Sequence, residues 1–126
     1  MRARSPDFGM RDTNKLRVAE AAMVVAEATY RVTREFPPDE RWGLVSQMRR
    51  AAVSIGSNIA EGCGRSTNPQ FVAFLQIAMG SASELEYQTR LSLRLNLSSE
   101  ELLNDLITKI TSAKGMLGKL TVTQRG

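Results

Sequence analysis

Three glutamates (Glu61, Glu84, Glu86), two adjacent arginines (Arg49, Arg50) and one thiol (Cys63) are the side chains here whose types could support chemistry. A pair of carboxylates can exchange a proton with a substrate or hold a hard cation, but nothing in the spacing of these three requires either role. The chain contains no histidine, which removes the commonest metal ligand and the commonest general base together. A di-iron carboxylate centre in a helical bundle needs Glu-x-x-His pairs projecting inward from two helices, so that chemistry is excluded. No catalysis, metal or cofactor is expected. Cys63, the only cysteine, reads as a packed or surface thiol and cannot form an intrachain disulfide.

The polar residues around these groups have a structural reading. Asn58 and Glu61 lie three apart and so share a helix face, where they could meet Glu84 or a neighbouring subunit. Arg49 or Arg50 is expected to pair with Glu84 or Glu86 between helices, and Asn58 to satisfy backbone exposed by a bend, because polar groups hidden in a bundle must find partners.

Four helices must position these residues. The first eleven residues, with Pro6, Gly9 and alternating charge, have no helical period and read as a flexible arm. Helix 1 starts near Asp12 or Thr13, either of which can cap free amides. It carries two neighbouring apolar stripes, Leu16-Ala19-Met23-Ala26-Tyr30 and Val18-Ala22-Val25-Ala28, so more than one of its faces needs covering. Pro37 and Pro38 end it, and Asp39 is expected to cap helix 2. Helix 2 runs through Leu44, Met48, Ala52, Ile55 and Ile59 to a stop at Gly62 and Gly64. Its Ser54–Asn58 stretch, with Gly56 inside, is poor in helix formers and predicts a bend. Asn68-Pro69 opens helix 3, which is apolar nearly all round from Phe71 to Met79 and reaches about Leu95, with Asn96 as a left-handed stop. Ser98 and Glu101 form a capping box for helix 4, whose inward face is Leu102, Leu103, Leu106, Ile107, Ile110, Ala113, Leu117 and Leu120. Residues 12–120 thus predict an all-α, up-down-up-down antiparallel four-helix bundle, with 121–126 as a C-terminal tail.

A chain of this length can bury roughly two thirds of its unfolded surface without staples. Its longest purely apolar run, Ala21 to Ala26, is far short of the roughly 18 residues a membrane span requires, so no membrane partner is expected. Few cysteines and no recognisable signal peptide read as cytoplasmic. The net charge of +4 is unevenly spread. Residues 1–17 hold Arg2, Arg4, Arg11, Lys15 and Arg17 against Asp7 and Asp12, and residues 109–126 hold Lys109, Lys114, Lys119 and Arg125 against no acid. In the predicted topology the start of helix 1, the helix 2–3 loop with Arg65, and the end of helix 4 share one pole, which is therefore basic. The opposite pole gathers Glu35, Asp39, Glu40, Glu100, Glu101 and Asp105 against Arg34, Arg41 and Arg94, and is net acidic.

Residues 41–65 read Arg-Trp-Gly-Leu-Val-Ser-Gln-Met-Arg-Arg-Ala-Ala-Val-Ser-Ile-Gly-Ser-Asn-Ile-Ala-Glu-Gly-Cys-Gly-Arg. This stretch resembles the defining segment of the four-helix-bundle family first noticed as proteins encoded in intervening sequences of large-subunit ribosomal RNA genes. Tyr30, the Glu-Phe-Pro after helix 1, and the run Phe71-x-x-Phe74-Leu75-x-x-Ala78-x-Gly80-Ser81-x-x-Glu84-Leu85-Glu86 are similar as well. The resemblance implies a homopentameric, ring-like assembly. It also implies kinship with accessory proteins of diversity-generating retroelements, which bind nucleic acid and partner a reverse transcriptase. Within the motif, Arg49, Arg50, Ser57, Asn58, Glu61, Glu84 and Glu86 are expected to be structural or interface residues, and Trp42 a core or subunit contact. The chain departs from the family at Gly56, where proline is common, at Ala19, where tryptophan is frequent, and at Ser66–Gln70, where relatives carry lysines.

Two functions follow as expectations. One is a ring that binds RNA or DNA through Lys15, Arg17, Arg65, Lys114 and Lys119 at its basic pole. The other is a protein scaffold or adaptor without nucleic-acid affinity, using apolar faces left exposed after assembly.

Overall fold

The computed structural model describes residues 12–125, so the expected arm at 1–11 lies outside the described residues. Four long helices carry the chain: α1 (Thr13–Thr33), α2 (Ser46–Cys63), α3 (Asn68–Arg94) and α4 (Glu100–Arg125). There is no strand among the described residues. Each helix packs on two others, α1 on α2 and α4, and α3 on α2 and α4. Short connections make consecutive helices antiparallel, which closes the four into one bundle.

The bundle encloses a single apolar core. Of the two stripes on α1, Val18-Ala22-Val25-Ala28 turns inward, and it meets Met48, Ala52, Ile55 and Ile59 of α2, Leu75, Ala78, Ala82 and Leu85 of α3, and Leu103, Leu106, Ile110 and Leu117 of α4. The other stripe does not share that fate. Ala19 is buried, but Met23 and Tyr30 stay partly exposed on the outside of the subunit. The buried hydroxyls of α1 and α3 are accommodated within their own helices: Thr29, Thr33, Thr89 and Ser92 each donate to the carbonyl four residues back, at 2.7–2.8 Å. A hydroxyl so bonded leaves no orphaned donor in the core.

The helix ends depart from expectation by small amounts with identifiable causes. Asp12 caps α1 as predicted, its carboxylate accepting from the Asn14 and Lys15 amides at 2.8 and 3.3 Å. The helix then stops at Thr33, ahead of the prolines. Asp39 does not cap α2. Instead Pro38–Glu40 form a 3-10 turn, the Glu40 carboxylate takes the Leu44 amide at 3.5 Å, and a π-helical turn over Arg41–Val45 breaks at Gly43 (φ −104°, ψ −111°) before α2 begins. The irregular backbone sits there and not at Gly56, where α2 runs unbroken. For α3 the cap is Thr67, one residue earlier than expected, with Oγ1 accepting from the Gln70 amide at 3.3 Å. Asn96 does adopt the left-handed conformation (φ 54°) that ends α3. For α4 the cap is Ser99, whose Oγ accepts from the Leu102 amide at 3.1 Å, so the Ser98–Glu101 box is not formed. Finally, α4 continues to Arg125, through residues 121–125, which by sequence alone read as a tail.

Gly56 sits where α1 and α2 approach, and a Cβ placed there would lie 3.6 Å from the Ala22 Cβ, an ordinary contact. Glycine inside a helix is less favourable than alanine by about 0.5–1 kcal/mol. Gly56→Ala is therefore expected to raise the stability of the bundle by that amount in urea unfolding followed by circular dichroism. An unchanged or lower midpoint would show that the two helices are closer than this contact implies.

Candidate functional site

The antiparallel order brings the start of α1, the α2–α3 loop, the start of α3 and the end of α4 to one pole. Lys15 of α1 places its ammonium 4.6 Å from the centre of the Phe71 ring, and Arg65 of the loop places its guanidinium 4.8 Å from that of Phe74. Phe71 and Phe74 lie three apart on the first turns of α3, so the start of one helix supplies the ring beneath each cation. Arg65 also pairs with Glu61 four residues back, at 3.3 Å. On the other side of α1, Arg17 and Lys119 line one hollow of about 280 Å³ together with Asn14 and Thr123. Among the described residues no carboxylate lines that hollow.

Lys114 is not part of this gathering. Its Nζ donates to Glu86 Oε1 at 3.0 Å on the α3–α4 seam, and Arg90 Nε reaches the other oxygen of the same carboxylate at 2.9 Å. These bonds, Lys114's first, hold the Glu86 carboxyl below its ordinary pKa. A carboxylate so held keeps its negative charge near neutral pH and cannot serve as a general acid there. The Cys63 thiol is half-buried, and burial pushes its pKa up despite the nearby Lys15, which disfavours the nucleophilic thiolate. Among the described residues no three His, Cys, Asp or Glu side chains come together as a metal site.

The motif residues take partners that sequence could not specify. Arg49 does not reach Glu84 or Glu86. It turns to α1 instead, where Nε donates to Thr33 Oγ1 at 2.9 Å and the guanidinium stacks 4.4 Å over the Tyr30 ring. Arg50 shares a hollow on the α2–α3 seam with Glu84 without pairing to it within 4 Å. That seam is pinned by the Ser54–Ser81 hydroxyl bond at 2.9 Å, and Glu84 accepts from Gln88 Nε2 at 3.4 Å. Asn58, expected to serve a bend, donates to the Ser54 carbonyl at 2.8 Å within a regular helix. Ser57 is exposed beside α1. Trp42 is no core residue: it is 84% exposed, with Arg41 5.3 Å from its ring. What sequence reasoning missed at the basic pole is the pair of phenylalanines beneath the cations. Their spacing just after a helix start was the available signal.

Over residues 14–119 the chain matches the family described as 23S rRNA-intervening sequence protein. It belongs to that family. A solved relative supports the fold of this intervening-sequence protein: the crystal structure of a protein with unknown function from the S23 ribosomal protein family of Bacteroides thetaiotaomicron. It superposes with a TM-score of 0.79 at 21% identity, covering 86% of this chain and 98% of the other. No curated protein matches. Among the described residues no helix of the intervening-sequence protein is long and apolar enough to cross a membrane.

Proposed function

We propose that this protein is a non-catalytic cytoplasmic ring of four-helix bundles, a homopentamer by its family resemblance, that binds nucleic acid through its basic pole. The observation that carries the reading is the gathering at one end of Lys15, Arg17, Arg65 and Lys119, two of them set over aromatic rings and two lining a hollow that no carboxylate among the described residues enters. A concentrated cationic surface attracts phosphate backbones of RNA or DNA alike, and in a ring with parallel axes each subunit adds the same patch to one rim. By the same resemblance a reverse transcriptase is a partner to test once nucleic acid binds.

Fluorescence anisotropy with labelled RNA and duplex DNA provides the test. Affinity is expected to fall steeply with salt, with a slope near −0.9 for each duplex phosphate contacted. The double variant Arg17→Glu, Lys119→Glu should abolish binding, whereas Lys114→Gln, whose charge is taken up by Glu86, should change it least. Titrations that stay flat at low salt would remove this reading. They would leave the adaptor reading, which Trp42 favours, since an 84% exposed tryptophan at the acidic pole is the kind of anchor protein interfaces use.

A further inference from the structure

The two ends of the bundle complement each other in charge and in shape. At the acidic end Glu35, Asp39, Glu100 and Glu101 are exposed, and none of the ion pairs among the described residues includes them. Trp42 stands out from the same end on the turn between α1 and α2, almost fully in water. A tryptophan normally hides most of its large apolar surface, and the subunit gives this one nothing to hide against. Arg41, 5.3 Å from the ring, covers one face of the indole and leaves the other open. Glu40 fixes the turn that presents it, through the bond from the Leu44 amide.

The hollow of about 280 Å³ opens at the rim of the basic end, since Asn14 belongs to the first turn of α1 and Thr123 to the last of α4. Val18, Met116 and Leu120 give it an apolar floor, and Arg17 and Lys119 edge it. Neither cation is in an ion pair among the described residues. An apolar floor edged by cations suits an indole better than any other side chain, because the ring can be buried while its face takes a positive charge.

We infer that copies of this chain associate end to end, Trp42 of one entering the Arg17–Lys119 hollow of the next, with Glu35 and Asp39 brought against Lys15, Arg17 and Lys119. The copies must point the same way, since any other order sets like charges together. Knob and hollow are different surfaces, so each copy keeps one of each free, and copies in line extend into an open chain. The contact involves only the ends of the bundle. It goes beyond the function proposed above and applies equally to single subunits and to rings of them.

Sedimentation velocity of the full chain tests this. At about 0.01 M salt, where charges act over roughly 30 Å, wild type is expected to form multiples of a base unit whose share grows with protein concentration. At about 1 M salt, where that range falls to roughly 3 Å, the base unit should predominate. Trp42→Ala removes a side chain that lies outside the core, so the variant should keep the wild-type circular dichroism spectrum. It should remain at the base unit in low salt, and so should the double variant Arg17→Glu, Lys119→Glu. Mixing the two should restore larger species, because one keeps the hollow and the other the knob. A wild type of constant mass at every concentration in low salt, either folded variant that still forms multiples, or a mixture that forms nothing larger would each overturn the end-to-end contact. Trp42→Ala should leave the affinity for duplex DNA unchanged, so loss of stacking and loss of nucleic-acid binding are read separately.

Discussion

Truncating Leu75 to alanine is expected to destabilise the bundle by about 2–5 kcal/mol, while the same change at Ile77, two residues along the same helix, should cost under about 0.5 kcal/mol in the separated subunit. Leu75 has no exposed surface and lies among core residues of the bundle, so its removal loses transfer energy and leaves a cavity that neighbouring helices cannot fill. Ile77 already has half its surface in water. Under the self-association proposed above, its cost should grow with protein concentration, as linkage to association requires. Urea unfolding followed by circular dichroism at several concentrations separates the two. Equal losses at Leu75 and Ile77 in dilute solution would mean that α3 is rotated about its axis from the orientation described above.

Gly62→Ala is expected to cost about 1–3 kcal/mol, opposite in sign to Gly56→Ala on the same helix. A Cβ at Gly62 would lie 2.8 Å from the Phe74 Cβ and 2.9 Å from Phe71 Cδ1, closer than carbon atoms approach. The ring of Phe71 can swing aside, but the Phe74 Cβ is tied to the backbone of α3, so α2 and α3 would have to part. The preference of a helix for alanine over glycine, about 1 kcal/mol at most near a helix end, does not offset that. The displacement should also unseat Lys15 and Arg65 from their rings. A melting curve for Gly62→Ala that coincides with wild type would show that the two helices separate at that pole without penalty.

How much of this could be read from sequence depended on how local the determining physics is. The inward face of α4 was legible in the helical spacing of Leu103, Leu106, Ile110, Ala113, Leu117 and Leu120, whereas α1 offered two stripes and α3 was apolar nearly all round, so period alone did not say which side of either turns inward. Asn96 was legible because few residue types tolerate a left-handed backbone. The caps shifted by one residue because Thr67 and Asn68, and Ser98 and Ser99, are neighbours that can all cap a helix, and only the packing of the following helix chooses between them. The turns before α2 were missed because Pro37, Pro38 and Asp39 resemble an ordinary helix start, whereas Glu40 and Gly43 redirect the chain. At the basic pole the charges were visible, but their partners were not: whether Lys114 meets Glu86, or Arg49 meets Tyr30 and Thr33, depends on how helices far apart in sequence rotate against each other.

Trp42 is the chain's only tryptophan, and the irregular turn around Gly43 holds it out in water. Its indole is thus solvated in the folded protein nearly as fully as in the denatured chain. Emission from this ring would barely register loss of the core, so a flat fluorescence trace on heating says little about whether the bundle has melted. The same ring is well placed as an optical sensor of anything that covers the acidic end, since contact there would move it from water into a drier setting while the helices stay as they are.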